Sequence, residues 1–368
     1  MKVGFDYQIF ALQAYGGISR YYVSLAEELK LIGHSPKIFA PFYCNEYLSS
    51  ASPQIVEGRR FAKSNSKILR FTLPLNHFMS NRKNKLWMPD IVHETYFSMF
   101  KTPNRSCPTV LTVYDMVHEK FPKEFSRWGN ISVRKRSAVE RADHVICISE
   151  STRNDLIQEF GVDESKVSVV YLGFDTFTDV SVRTDSIEAF HRPYVLFVGN
   201  RAGYKNFHGF IRAFALSPAL KADFDIACFG GGAFTAAEKD LIRSVGLSED
   251  RVRHQGGSDK VLGDLYSQAA AFVYPSMYEG FGLPPLEAMA KGCPVIVSHS
   301  SSMPEVVGDA GCYFDPHSIE DMSSAMEKVV FSSSLRQSLV SAGYNRLQKF
   351  SWASCAEKTM DVYTQVMR

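Results

Sequence analysis

The sequence is short of most features that would assign it quickly. No apolar stretch approaches the ~18 residues a membrane-crossing helix needs, which leaves peripheral contact as the expected route to a lipid surface. Seven cysteines (Cys44, Cys107, Cys147, Cys228, Cys293, Cys312, Cys355) are scattered, odd in number and free of any C-x-x-C pair. That pattern excludes the usual zinc and redox motifs and points to a reducing compartment. A formal net charge of +2 over 368 residues gives no global drive toward nucleic acid, so an anionic partner must be recognised locally. The opening MKVGFDYQIF meets Asp6 before an apolar leader core can form, so it reads as a first strand, and the cytoplasm is the expected location. A dinucleotide fingerprint is also missing. After Gly230 to Gly232 the third glycine of G-x-G-x-x-G falls on Thr235, and no acidic residue is well placed at the end of a following strand.

What is present describes a soluble globular chain. With 45% hydrophobic and 22% charged residues, its length suits two domains of about 150 to 200 residues each. Eleven short apolar runs alternate with helical patterns: KVGFDY, SPKIFA, DIVHE, PTVLTVY, HVICIS, KVSVVYL, YVLFVGN, DFDIACFG, RVRHQG, AAFVYPS and CPVIVS. This alternation predicts an α/β fold with parallel sheets and crossover helices. After Gly16-Gly17, residues Ile18, Tyr22, Leu25, Leu29 and Ile32 share one helical face and Gly33 is the stop, so a strand, a glycine turn and a helix open the chain. Periodicity is lost between Tyr171 and Arg192, where we place a linker between domains 1–175 and 190–350. The second domain repeats the opening, with FVGNRAGYKN leading into a helix from Phe207 to Leu216. Ligands collect at the carboxyl ends of parallel strands, and two Rossmann-like domains facing one another would form a cleft there.

The most informative segment is YEGFGLPPLEAMAKGCPVIVS, Tyr278 to Ser298. A strand ends, a glycine loop follows, a helix starts at Pro284-Pro285, and Lys291 and Gly292 suit its end. Free amides at Gly282 and Leu283 would favour phosphate, and the small glycines admit a ligand close to the backbone. Glu279 before the loop and Glu287 in the helix's first turn suit sugar hydroxyls, since a carboxylate accepts hydrogen bonds and repels phosphate. Amides for a diphosphate and acids for sugars on either side describe a nucleotide sugar. The bland reading makes Glu287 a helix-dipole partner and Glu279 a solvated loop residue.

Glu279-Gly-Phe-Gly-Leu-Pro-Pro-Leu-Glu287 resembles the E-x7-E motif of retaining glycosyltransferase family 4, whose members have the GT-B fold. Arg141-Ala-Asp-His-Val-Ile-Cys-Ile-Ser149-Glu-Ser-Thr, Val170-Tyr-Leu-Gly-Phe-Asp175, Tyr313-Phe-Asp-Pro316 and Ser351-Trp352 resemble the family in the same order, over nearly the whole chain. The resemblance implies that Glu279 contacts the donor sugar and Glu287 the ribose. It implies that Arg201 and Lys205, in Val198-Gly-Asn-Arg-Ala-Gly-Tyr-Lys-Asn206, bind the diphosphate, although the family often puts its arginine where Asn200 stands. Two fixed cations would take up the leaving group's charge without a metal. Gly16 and Gly17 match the family's phosphate-facing glycine loop, and by residues alone are a plain turn.

On the acceptor side Tyr114 occupies the place where many members carry a histidine. Asp115 and His118 follow it, and either can orient an acceptor hydroxyl or be structural. His93 and Glu94 are further candidates. The resemblance also implies a last helix, 352–368, packed back on the first domain, and transfer with retention. No carboxylate is placed as a covalent nucleophile, so front-face attack is expected. The YEGFGLPP form with Tyr-Lys-Asn resembles bacterial O-antigen mannosyltransferases and implies GDP-mannose as donor, a saccharide acceptor of the lipid-linked kind, and no cofactor or metal. Gly58 to Trp87 carries eight cations and no acid (Arg59, Arg60, Lys63, Lys67, Arg70, Arg82, Lys83, Lys85) among apolar residues, a surface able to rest on anionic lipid or an ordinary solvated face. The competing readings are a nucleotide-sugar epimerase of the same fold and a non-catalytic saccharide-binding protein.

Overall fold

The computed structural model describes residues 1–61, 66–98, 107–125, 131–174, 190, 192–201 and 203–368, with backbone alone for 66–71. Most of the expected linker, Asp175, Ala202 and Lys63 lie outside the described residues, as do the side chains of Lys67 and Arg70. The chain forms two compact units, Met1–Gly173 with Phe350–Arg368, and Phe174–Lys349.

In the first unit β1 (Lys2–Phe5), β2 (Ser35–Ile38), β3 (Ile91–Glu94), β4 (Thr109–Val113), β5 (His144–Cys147) and β6 (Val167–Val169) make one sheet in the order β2-β1-β3-β4-β5-β6. Every pairing is parallel, for example Val3 opposite Pro36 and Ile91. In the second unit β7 (Tyr194–Val198), β8 (Asp225–Phe229), β9 (Val252–Gln255), β10 (Ala271–Tyr274), β11 (Val295–Ser298) and β12 (Gly311–Phe314) run in the order β9-β8-β7-β10-β11-β12. That is the 3-2-1-4-5-6 order of a doubly wound nucleotide-binding sheet. All eleven expected runs are strands. The structure adds β12 and a small pair, Phe42–Tyr43 with Arg59–Arg60, which are too short to show a periodicity.

The helix Gly17–Leu31 follows the expected face, with Tyr22, Leu25 and Leu29 fully buried. Two details differ. A short helix, Gln8–Leu12, comes between β1 and the glycine turn, and Ile32 is an exposed cap residue. Tyr21 is buried beside Tyr22 because the helix is covered on a second side. The helix Trp352–Val366 packs on it within the same unit, and Tyr21 and Trp352 rings lie 6.1 Å apart. The second core is aromatic where β7 meets the helix Phe207–Leu216: Phe197, Phe207, Phe210 and Phe214 are all buried there.

His93, expected as an acceptor-side candidate, is instead an internal strut. It is fully buried, with Nδ1 2.6 Å from the Tyr363 hydroxyl and Nε2 2.8 Å from Thr112 Oγ1. Burial pushes its pKa down to about 3, so the ring is neutral in the folded protein while an unfolded histidine titrates near 6.5. The linked stability is fully present above pH 6.5 and is lost as pH falls from there toward 3. By pH 4.5 the loss should reach roughly 3 kcal/mol. Thermal melts from pH 7.5 to 4.5 should therefore fall more steeply for the native protein than for His93→Gln; parallel slopes would remove His93 as the cause.

The helix Ser66–Trp87 ends the basic segment. Leu75, Phe78 and Leu86 are exposed on it together with Arg82 and Lys85, whereas Lys83 is tied to Glu57 at 2.7 Å. Arg60 pairs with Glu46.

Candidate donor and acceptor sites

In the second sheet the strand order reverses between β7 and β10. The loops leaving those two strands, 199–206 and 275–282, hold the sequence motifs, at the place where an open α/β sheet takes its ligand. A backbone bond from Met277 N–H to Tyr204 O, at 2.7 Å, joins them. Lys205 ends a short 3-10 turn, Gly203–Lys205, and donates to Glu279 Oε1 at 2.5 Å and to the Tyr274 hydroxyl at 3.3 Å. Both charged side chains are 14% exposed. The expected phosphate cation and the expected sugar carboxylate thus already face one another.

The helix after the loop runs Leu283–Ala290, one residue earlier than its prolines suggest, with Gly282 as N-cap at φ +118. Pro284 and Pro285 have no N–H, so the free donors at the start of the helix reduce to Gly282 and Leu283. A Cβ on Gly282 would lie 2.5 Å from Met303 Cε in a backbone region that side chains avoid, which accounts for glycine there. Glu287 stands in the second turn, not the first, because Leu283 opens the helix. Its Oε2 accepts from the Tyr266 hydroxyl at 3.4 Å. Dipole compensation is a first-turn effect and does not account for it.

Sequence reasoning missed the serines that hold this loop. Ser301 Oγ accepts from Glu279 N–H at 2.9 Å. Ser302 Oγ donates to Glu279 O and Phe281 O, Ser300 Oγ to Met277 O, and Ser298 Oγ to Ser276 O. The signal was legible: four serines crowd the end of β11, which pairs with the strand that carries the loop.

Arg201 is not open in the manner of Lys205. Its side chain is 3% exposed and pairs with Glu238 at 2.6 Å.

In the first unit, Gly16 caps the helix Gly17–Leu31 in extended backbone, and a Cβ on Gly17 would meet nothing. A missed residue, Asp6 at the end of β1, is buried and accepts from Thr95 and Gln8, which ties the loop after β1 to the loop after β3. Asp115 follows β4, is 37% exposed, and its Oδ1 accepts from Val117 N–H at 3.1 Å. His118, on the short helix Val117–Lys120, has its ring 4.4 Å from that of Phe125, with the planes tilted by 45°. Burial and then the Lys135 charge push its pKa down, against Asp115 and Glu119, which favours the neutral ring. Behind both stands Lys135, a second missed residue with no sequence signal in its basic helix. It is 1% exposed, donates to Glu119 Oε2 at 2.7 Å and to Asp115 O at 2.9 Å, and so fixes the turn.

Residues 15–177 match Glycosyltransferase Family 4, and residues 184–346 match Glycosyl transferases group 1. The chain belongs to glycosyltransferase family 4. It is an enzyme of the GT-B class, built from two Rossmann-like domains. Among curated relatives, O-antigen chain mannosyltransferase B of Escherichia coli is 28% identical over 279 residues, covering 72% of each chain. Alpha-maltose-1-phosphate synthase of Mycobacterium tuberculosis is 30% identical over 288 residues, 70% of this chain and 73% of the relative. The glycosyltransferase also matches serotype-specific mannosyltransferase WbdA of Escherichia coli, at 28% over 76% of its own length, but spans only 37% of that relative. Sucrose-phosphate synthase from Thermosynechococcus elongatus has the same fold, with a TM-score of 0.78 at 20% identity over 100% of this chain and 99% of that one. No described helix is long and apolar enough to cross a membrane.

Proposed function

We propose that this glycosyltransferase moves mannose from GDP-mannose to a saccharide acceptor, lipid-linked in the cell, during synthesis of a surface polysaccharide. The observation that carries the donor site is the Lys205 and Glu279 pair beside the amides of Gly282 and Leu283 at the strand-order reversal. In this reading Lys205 and the amides hold the diphosphate, Glu279 takes the sugar hydroxyls and Glu287 the ribose. The family resemblance assigns Gly16 and Gly17 to the phosphates, and Asp115 or His118 orients the acceptor hydroxyl.

In the reaction the bond from the sugar's anomeric carbon to the phosphate oxygen breaks, the acceptor oxygen bonds to that carbon from the same face, and its proton passes to the leaving phosphate. Configuration is retained. Cationic stabilisation of the departing diphosphate supplies what a metal supplies elsewhere. The likeness to two mannosyltransferases supports the sugar, and the synthase relative, of similar identity, makes the donor the point to test. Calorimetry with GDP, UDP, ADP and their sugars, in chelator, should show preference for GDP-mannose. Preference for another nucleotide would overturn the donor, and binding that needs added magnesium would overturn the metal-free reading.

The exposed face of Leu75, Phe78, Arg82, Lys85 and Leu86 supports peripheral membrane contact on the cytoplasmic side. Flotation with vesicles rich in anionic lipid should carry the enzyme up at low salt, and Phe78→Glu with Arg82→Glu should leave it in the soluble fraction; equal flotation would exclude this face.

A further inference from the structure

Arg201 lies at the centre of the loop after β8. Its Nε donates to Glu238 Oε1 at 2.6 Å and its Nη1 to Gly230 O at 2.9 Å. Nη2 donates to Gly232 O at 2.9 Å, Ala233 O at 3.1 Å and Gly231 O at 3.3 Å. A guanidinium has five N–H groups in a rigid fork, so these bonds leave at most one for any other partner. The Phe234 and Phe207 rings lie 4.9 Å and 5.7 Å from its Cζ, and its side chain is 3% exposed.

The loop is shaped around that cation. Gly230, Gly231 and Gly232 all have left-handed φ, at +89, +72 and +73, which turns successive carbonyls to one side. Four carbonyls brought together repel one another unless a donor sits among them. Glu238 is held from behind: it is the capping-box acid of the helix Ala236–Ser244 and also accepts from Thr235. Burial opposes its charge, but Arg201 and Thr235 outweigh it and hold the carboxyl below its ordinary range. The His254 ring, with Nε2 3.1 Å from Gly230 O, braces the other side. The loop stands next to the one that carries Lys205, because β8 pairs with β7 and Gly199 N–H donates to Phe229 O.

We propose that Arg201 is a positioning residue and no ligand of the donor: with Glu238 it folds 230–233 into a wall of the donor site, and Lys205 is the side-chain cation that meets the diphosphate. This rests on the donor-site reading above and narrows it, since it assigns one side-chain cation where the family resemblance implies two. The distinction is chemical. A phosphate-contacting cation contributes an attraction that salt screens, whereas a loop brace contributes geometry that salt hardly touches.

The experiment measures binding of GDP, UDP and ADP across a salt series for the native enzyme, Arg201→Gln, Glu238→Gln and their double variant, with Lys205→Ala as the reference. Arg201→Gln and Glu238→Gln should each weaken binding roughly tenfold, with the native salt slope, and the double variant should be no weaker than either single one. Lys205→Ala should weaken binding and flatten the slope. If Arg201 instead meets the phosphates, Glu238→Gln should release it and tighten binding, and Arg201→Gln should flatten the slope as Lys205→Ala does; either result overturns the proposal. Should a glutamine variant fail to fold by circular dichroism, His254→Ala, which removes only the outer brace, should weaken binding with an unchanged slope, and a flattened slope would overturn it. No change in Lys205→Ala overturns the donor site itself, whatever Arg201 does.

Discussion

Glu279→Gln is expected to cut sugar transfer sharply while tightening binding of the bare nucleoside diphosphate. In the structure the carboxylate sits 2.5 Å from Lys205 Nζ, where an incoming phosphate oxygen would have to sit. Any anionic ligand therefore competes with an anion the enzyme carries itself. Two unit charges this close attract by several kcal/mol even at an effective dielectric near 20, with desolvation offsetting much of it. Removing the charge should free the ammonium and improve the dissociation constant of GDP by about three- to tenfold. The sugar would lose its charged acceptor, because glutamine keeps one neutral carbonyl and puts an NH2 donor in place of the other oxygen, so transfer should fall by about 10² to 10³, the scale of one misplaced electrostatic contact, and GDP-mannose should lose its advantage over GDP. Calorimetry with both ligands and a transfer assay read the two effects separately. Weaker GDP binding would show that Glu279 does not compete for Lys205. The same competition gives the pair a use in turnover: as the sugar leaves, Glu279 returns to Lys205 and favours release of the diphosphate.

Lys205→Ala should be the more damaging change for nucleotide binding. It removes the ammonium and leaves Glu279, whose side chain is 14% exposed, without its cation and facing the ligand's phosphates. The loss should be on the order of 100-fold in the affinity for GDP, since breaking a partly buried pair costs more than the pair itself contributes. The double variant Lys205→Ala with Glu279→Gln should bind GDP more tightly than Lys205→Ala alone, because the repulsion goes with the carboxylate. A double variant that binds GDP no more tightly than Lys205→Ala alone would mean that Glu279 does not face the ligand's phosphates.

Much of this was legible in one dimension because the physics was local. Strands buried on both faces, such as Val195 to Phe197 and Val295 to Val297, read as apolar runs whatever packs on them. Gly282 was legible as part of the glycine loop ahead of the helix because its backbone needs a residue without a side chain. Other readings failed where a partner lay far along the chain. His93 sits at a strand end like an acceptor residue, yet Tyr363, 270 positions later, closes over it. Lys135 looks like one cation of a basic helix and is buried where Glu119 and the Asp115 carbonyl come to it. Glu287 was one turn out because its helix opens at Leu283, ahead of the prolines taken as its start.

By itself the sequence determined the α/β class, eleven of the twelve strands in the two sheets, the glycine loop with its helix, and the family resemblance, since each depends on residues near one another in the chain. Only the tertiary structure decided which charges meet. Lys205 faces Glu279 across 74 positions, and Arg201 is taken by Glu238 and four carbonyls 29 to 37 positions away. A cation's role depends on what neutralises it, and these two loops acquire their partners only when parallel strands bring their ends together.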